Sequence, residues 1–223
     1  MAKNILVVAA HPDDELLGLA GTLINHVRAG DNVRALILGQ GVLSRDGADT
    51  KELGALQAQA KRAGEIVGFT DMRFLSFRDN AFDSVPLLEI AKEVERFIAA
   101  ERPDIVYTHH EYDLNVDHRL TFQAVLTASR PCNNKAPREI LTFETLSSTE
   151  WQSKDHKTFM PTVYHDIEAT MDQKIQALSM YESEMREYPH PRSAEGLRIL
   201  AQFRGLESGL KYAEAFHLVR KIA

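Results

Sequence analysis

Apolar residues along this chain fall into two rhythms. Ile5-Leu6-Val7-Val8-Ala9-Ala10 is an unbroken run, as expected of a strand buried on both faces. Leu53, Leu56, Ala60, Ala63 and Val67 recur instead at close to helical spacing. Read this way, the chain predicts strands over 4–10, 33–38, 72–77, 105–108 and 139–144. Helices are predicted between them over 15–29, 51–67, 118–129, and from Pro86 to just before Pro103. Gly30 suits the position just past a helix end, and Pro86 suits a first helical turn. Beyond these lie a polar stretch over 146–160, a strand over 163–167, a helix over 168–186 and another over 193–207. The last segment, 213–219, reads as a strand or extended chain.

Strands alternating with helices imply a parallel sheet covered on both faces. The expected class is therefore α/β, a Rossmann-like, doubly wound and mostly parallel sheet with helices on both faces. In the common winding the first five strands lie in the order 3-2-1-4-5. Strands one and four are then neighbours, and the loops that follow them meet at the switch point. The 223 residues suit one domain, with a core over 1–145 and a C-terminal elaboration over 146–223.

Those two loops carry the chemistry. His11-Pro12-Asp13-Asp14-Glu15 stands where the first strand gives way to a helix. His109, His110 and the segment Asp113-Leu114-Asn115-Val116-Asp117-His118 follow the fourth strand. His11 and Asp14, three residues apart, can close on one metal ion, and a catalytic zinc needs a third, distant ligand. On spacing alone His109, His110 and His118 are equal candidates for it. Asp13 is left over as a base for water whose pKa the metal lowers from ~15.7 toward ~7. One carboxylate at such a junction is explained by helix capping. A His with three carboxylates is not, because capping needs one side chain. Asp117 reads either as a cap or as the group that orients a ligand histidine.

With both motifs in order at strand ends, the chain resembles the PIG-L (LmbE-like) family of zinc-dependent N-acetyl-sugar deacetylases over most of its length. The resemblance implies His11, Asp14 and His118 as zinc ligands and Asp13 as general base. It also implies hydrolysis of an acetamido group to an amine and acetate. Many members have His-Pro-Asp-His in the second motif, and here the first of those places is Asn115. An Asn amide can donate to an oxyanion but cannot transfer a proton. The acid is then Asp13, once it holds the water's proton, or another group such as His190 or His109; Asp13 in both roles is preferred. Arg45 and Asp79-Asn80, in loops after strands two and three, resemble family positions that contact sugar hydroxyls or a substrate anion. Pro189-His190-Pro191-Arg192 reads as a stiffened pocket wall, and Glu214 resembles a C-terminal family segment near the site. Trp151 suits either stacking on a sugar ring or ordinary partial burial.

Composition narrows the picture further. With 26 basic and 32 acidic residues the net charge is −6, which disfavours nucleic acid and anionic membrane surfaces as partners. A small-molecule N-acetyl sugar, free or linked to a nucleotide or lipid carrier, is the expected partner. A homo-oligomer is compatible with the sequence. One cysteine, Cys132, allows no internal disulfide. There is no membrane-length apolar run and no signal-peptide pattern, so a cytoplasmic protein is expected. Three rival readings stand beside this one. A nucleotide-cofactor oxidoreductase would need the Gly-x-Gly-x-x-Gly turn that His11–Leu16 replaces. An iron oxygenase would use the same two His and one carboxylate, so Fe(II) stands beside zinc. A non-catalytic metal- or sugar-binding protein would have no need of Asp13 as a base.

Overall fold

A computed structural model of the chain describes residues 2–41, 50–132, 136–155 and 157–223. Arg45 lies outside the described residues. Among them are seven strands: β1 (Asn4–Ala9), β2 (Asn32–Gly39), β3 (Asp71–Phe77), β4 (Ile105–His109), β5 (Glu139–Phe143), β6 (Val163–Asp166) and β7 (Ala213–Lys221). The helices are α1 (Asp14–Leu17), α2 (Ala20–Arg28), α3 (Thr50–Val67), α4 (Leu87–Glu101), α5 (Val116–Ala128), α6 (Met171–Leu178) and α7 (Ala194–Ser208). All seven strands form one sheet in the order β3-β2-β1-β4-β5-β7-β6. Strands β1 to β5 are parallel, in the order the sequence predicts. β7 then pairs antiparallel with β5, and β6 antiparallel with β7.

β1 is central because both of its faces are apolar. Ile5, Val7 and Ala9 point into one core, shared with α2, α3, α6 and α7. Leu6, Val8 and Ala10 point into the other, shared with α4 and α5. Ile5, Leu6, Val7 and Val8 are at most 1% exposed. Each such side chain contributes up to roughly 1.5–3 kcal/mol. β1 pairs with β4 through Leu6 and Val106, so the loops leaving these strands open side by side at the carboxyl edge.

Two helices differ from expectation. The predicted helix 15–29 is broken into α1 and α2, with Leu19 at a non-helical φ of −150°. Gly18 lies against Phe143 and the Glu144 carbonyl, where a side chain would collide. The break leaves new amides at the start of α2 that need acceptors. Glu214 supplies them: its carboxylate accepts from Gly21 N at 2.9 Å and Thr22 N at 2.6 Å. Lys174 Nζ sits 2.7 Å from the same carboxylate and donates to Leu17 O at the end of α1. Glu214, which the resemblance suggests as a substrate-binding residue, is here a buried cap and ion-pair partner. Glu214→Gln is expected to cost about 3–5 kcal/mol, because it leaves the Lys174 ammonium buried without its counter-charge. A urea denaturation midpoint that matches the parent protein would refute this account. The predicted helix 168–186 ends early, at Leu178, and the following turns carry Tyr181 into the core, where its hydroxyl donates to Glu15.

Candidate metal centre

The switch point gathers His11 from the end of β1, Asp14 from the start of α1 and His118 from the first turn of α5. One ligand atom from each lies within 4.8 Å of the others. Asp14 Oδ2 is 3.4 Å from His11 Nδ1 and 3.2 Å from His118 Nε2, and it also accepts the His11 amide. Asp14 Oδ1 is buried with no hydrogen-bond partner among the described residues. A buried carboxylate with one oxygen near two imidazole nitrogens and the other unpartnered is what a divalent cation would satisfy.

Each imidazole is backed by a carboxylate on its other nitrogen. Asp117 Oδ2 is 2.9 Å from His11 Nε2, and its second oxygen accepts from Phe82 N. Asp113 Oδ1 is 3.1 Å from His118 Nδ1. The carboxylates thereby leave His11 Nδ1 and His118 Nε2 for a metal. His11, Asp79 and Asp117 also cluster, through His11 Nε2. That nitrogen is already engaged by Asp117, so the first group is the better cation site. Asp117 is not the cap of α5. Asn115 is, its Oδ1 accepting from Asp117 N at 2.8 Å.

Among the three histidines that spacing left open, His118 is the one at the cluster. His109 stacks behind it at 3.9 Å, and its Nε2 accepts the Ala10 amide. Burial and the adjacent His118 push His109 down to about 3, so it stays neutral and is unsuited to be the acid. His110 turns away to the Lys157 carbonyl.

The carboxylates around the two imidazoles favour their protonated form. Burial opposes charging His11, but Asp117 and Asp14 outweigh it and hold the ring up at about 10. Asp14 and Asp113 similarly raise His118 to about 9 against burial. Both rings hold a proton at pH 7 that a metal must displace. Metal binding at pH 7 is therefore expected to release protons, and metal affinity to fall as pH is lowered. Calorimetric titration in buffers of different ionisation enthalpy measures this; a buffer-independent heat would contradict it.

Asp13 stands beside this group at an unusual backbone position, φ 103°. Its N–H donates to Glu15 Oε2 at 2.9 Å, and Tyr181 Oη donates to the other oxygen of Glu15 at 2.5 Å. Its side chain makes no cap bond in α1. Instead Asp13 Oδ2 accepts from Arg192 Nη1 at 2.6 Å. Burial pushes the Asp13 carboxyl well up; Arg192 opposes this, and Asp14, Glu184 and Glu15 add to it. The result is a carboxylate more basic than usual, facing the cleft.

That cleft, of about 260 Å³, is lined by His11, Pro12, Asp13, Gly41, Asp79, Asn80, Asn115, Glu184 and Arg192. Asp79 and Asn115 are thus brought together as the sequence suggests. Asp79 Oδ1 lies 3.1 Å from His11 Nε2, and Asn115 Nδ2 donates to Asn80 Oδ1 at 3.2 Å. Arg192 also lines the cleft, but its guanidinium is engaged by Asp13, Glu184 and Ser147. His190 sits outside the lining, accepting from Arg192 N and meeting Trp151 edge-on. Sequence reasoning missed Glu184, for which there is no local signal. Asp113 and Glu15 lie inside the two motifs, but the motifs do not announce their partners, His118 and Tyr181.

Among the described residues, no helix is long and apolar enough to cross a membrane. A family model described as PIG-L, GlcNAc-PI de-N-acetylase, matches residues 6–129, which include His11, Asp14 and His118. A diacetylchitobiose deacetylase of Thermococcus kodakarensis is 30% identical, over 97% of this chain and 83% of its own length. The fold matches that of N,N'-diacetylchitobiose deacetylase from Pyrococcus horikoshii, with a TM-score of 0.78 and 22% identity over 98% of this chain and 84% of that one. It also matches the 4-carboxy-2-hydroxymuconate hydratase GalB of Pseudomonas putida, with a TM-score of 0.77 and 18% identity over 99% and 98%. The fold alone therefore does not fix the reaction. The family match spans more than half the chain and contains the whole His-Asp-His group, and together with the Thermococcus relative it shows that the chain is a member of the PIG-L family.

Proposed function

We propose that the protein is a zinc-dependent N-deacetylase that hydrolyses the acetamido group of an N-acetylated amino sugar to an amine and acetate. The observation that carries this reading is Asp13, a basic carboxylate facing the cleft beside the His11-Asp14-His118 group. When bound there, a divalent ion would make water nucleophilic near pH 7 and polarise the acetyl carbonyl. Asp13 takes the proton of the attacking water. Asn115 Nδ2, at the cleft wall, donates to the oxyanion as the carbonyl carbon becomes tetrahedral. Protonated Asp13 then returns its proton to the departing nitrogen, so that one amide and one water yield one amine and one acetic acid. Arg192 keeps Asp13 aimed, and Asp79 and Asn80 offer hydrogen bonds to sugar hydroxyls. The Thermococcus relative, named for diacetylchitobiose, supports an N-acetyl sugar as substrate.

Acetate and free amine should be released from a panel of N-acetyl sugars by zinc-loaded protein, and not by protein stripped with a chelator. Re-addition of zinc should restore release. Turnover that survives complete stripping would overturn the reading.

A further inference from the structure

We propose, resting on the deacetylase reading, that Tyr181 is a positioning residue for the general base: through Glu15 it holds the strained backbone that aims Asp13 at the cleft. Asp13 has φ 103° and ψ −30°, in the left-handed half of backbone space, where a residue other than glycine is strained. Such a conformation persists only where its surroundings fix it. The carbonyl side of Asp13 is fixed by α1, whose Leu16 and Leu17 amides donate to Asp13 O at 3.0 and 2.9 Å. The amide side is fixed by Glu15 Oε2, which accepts from Asp13 N at 2.9 Å.

Asp13 and Glu15 are near neighbours in one turn, so a bond between them sets the shape of that turn but not its place. Tyr181 sets its place. Its hydroxyl donates to Glu15 Oε1 at 2.5 Å, and both side chains are fully buried. The tyrosine ring belongs to the core shared with α2, α3, α6 and α7. The twist at Asp13 is thereby tied to the core and not to α1 alone.

The turns after α6 reach Asp13 by a second route. Tyr181 O accepts from Glu184 N at 2.9 Å, which closes the turn between them. Glu184 Oε2 is 3.3 Å from Arg192 Nη1, the atom that donates to Asp13 Oδ2. Residues 181–184 therefore grip the base twice, at its main chain through Tyr181 and Glu15 and at its carboxylate through Glu184 and Arg192. Neither Tyr181 nor Glu15 lines the cleft, so both act through Asp13 and not on the substrate.

Tyr181→Phe keeps the ring and removes the hydroxyl. With zinc content measured on the same preparation, it is expected to lower kcat by about 10–100-fold with little change in KM, because a misplacement of about 1 Å can cost ~10²-fold. The loss should vanish in the Asp13→Asn background, where no base remains to be aimed. A folded Tyr181→Phe protein with the parent kcat would overturn the proposal. So would a loss of equal size in both backgrounds, or one confined to KM. If Tyr181→Phe does not fold, Glu15→Gln interrupts the same link, since an amide has one acceptor oxygen where the carboxylate has two. The same two backgrounds then decide, with the same expected result.

Hydrogen exchange at the Asp13 amide, followed by NMR, reads the clamp without turnover. Tyr181→Phe should speed it by about tenfold or more while the amides of β1 keep their parent rates. Equal acceleration in β1 would mean that Tyr181 only stabilises the fold, and would overturn the proposal. Failure of the deacetylase reading looks different: zinc-loaded parent protein releases no acetate from any N-acetyl sugar, while Tyr181→Phe still frees the Asp13 amide.

Discussion

Asp13→Asn is expected to lower kcat by about 10²–10⁴-fold, the usual contribution of a positioned general base, while the protein still binds one divalent ion. The substitution changes little else. Asparagine tolerates the left-handed backbone at φ 103° better than most residues, and its oxygen still accepts from Arg192. The main-chain bond to Glu15 does not involve the side chain. What is lost is the capacity to take and return a proton. Steady-state kinetics on the sugar panel, with zinc content measured on the same preparation, separates the alternatives. An unchanged kcat with a raised KM would make Asp13 a binding group and would sink the mechanism. A protein that no longer holds zinc would show that Asp13 supports the metal cluster rather than the water.

The resemblance to a deacetylase family was legible because its two motifs are local. His11 to Glu15 and Asp113 to His118 are each readable within six residues. Their meeting followed from the winding order alone, which places β1 beside β4. The parallel sheet was legible for a similar reason, since strands buried on both faces are written as unbroken apolar runs such as Ile5–Ala10. Contacts between distant residues were not legible. Arg192 reaches Asp13 across 179 positions, and Tyr181 reaches Glu15 across 166. Nothing near Tyr181 or Glu184 in the sequence announces either contact. The capping work of Glu214 was not legible because it depends on the break between α1 and α2, which helical spacing does not reveal. Its carboxylate caps amides that exist only because Gly18 must lie flat against Phe143.

Asn115 shows how one position can exchange chemistry for architecture. Its oxygen caps α5 by accepting from Asp117 N, and that helix start carries both Asp117 and His118. Its amide nitrogen is directed to Asn80 and the cleft, as a donor with no proton to give away. The proton for the departing amine must then come from elsewhere. His109 is neutral and buried behind His118, and His190 lies off the cleft lining. Asp13, made basic by burial against the nearby carboxylates, is the group in place for both transfers.

Asp113→Ala is expected to damage the metal site and the fold together, by 10–100-fold in zinc affinity and about 3–5 kcal/mol in stability. The metal loss follows from His118, whose Nδ1 partner disappears, freeing the ring to rotate and to exchange tautomers. The fold loss follows from the same carboxylate's other bonds. The Ser148 and Thr149 hydroxyls and the Asn115 main-chain N–H all donate to it, and the two buried hydroxyls would be left without an acceptor. In a protein of this size the melting temperature should fall by roughly 10 °C. Against burial, His118 and the two hydroxyls hold Asp113 down at about 2. An unfolded Asp titrates near ~3.9, so this stabilisation is fully present above that pH and is lost as the pH falls toward 2. Asp113→Asn divides the two roles. Its one carbonyl oxygen can keep the bonds from Ser148 and Asn115 N but not the Thr149 bond made to the other oxygen, so part of the stability should survive in metal-free melts. Its amide carries no charge to fix the His118 tautomer, so zinc affinity should still fall. Parent-like zinc affinity in both variants would mean that His118 needs no carboxylate behind it.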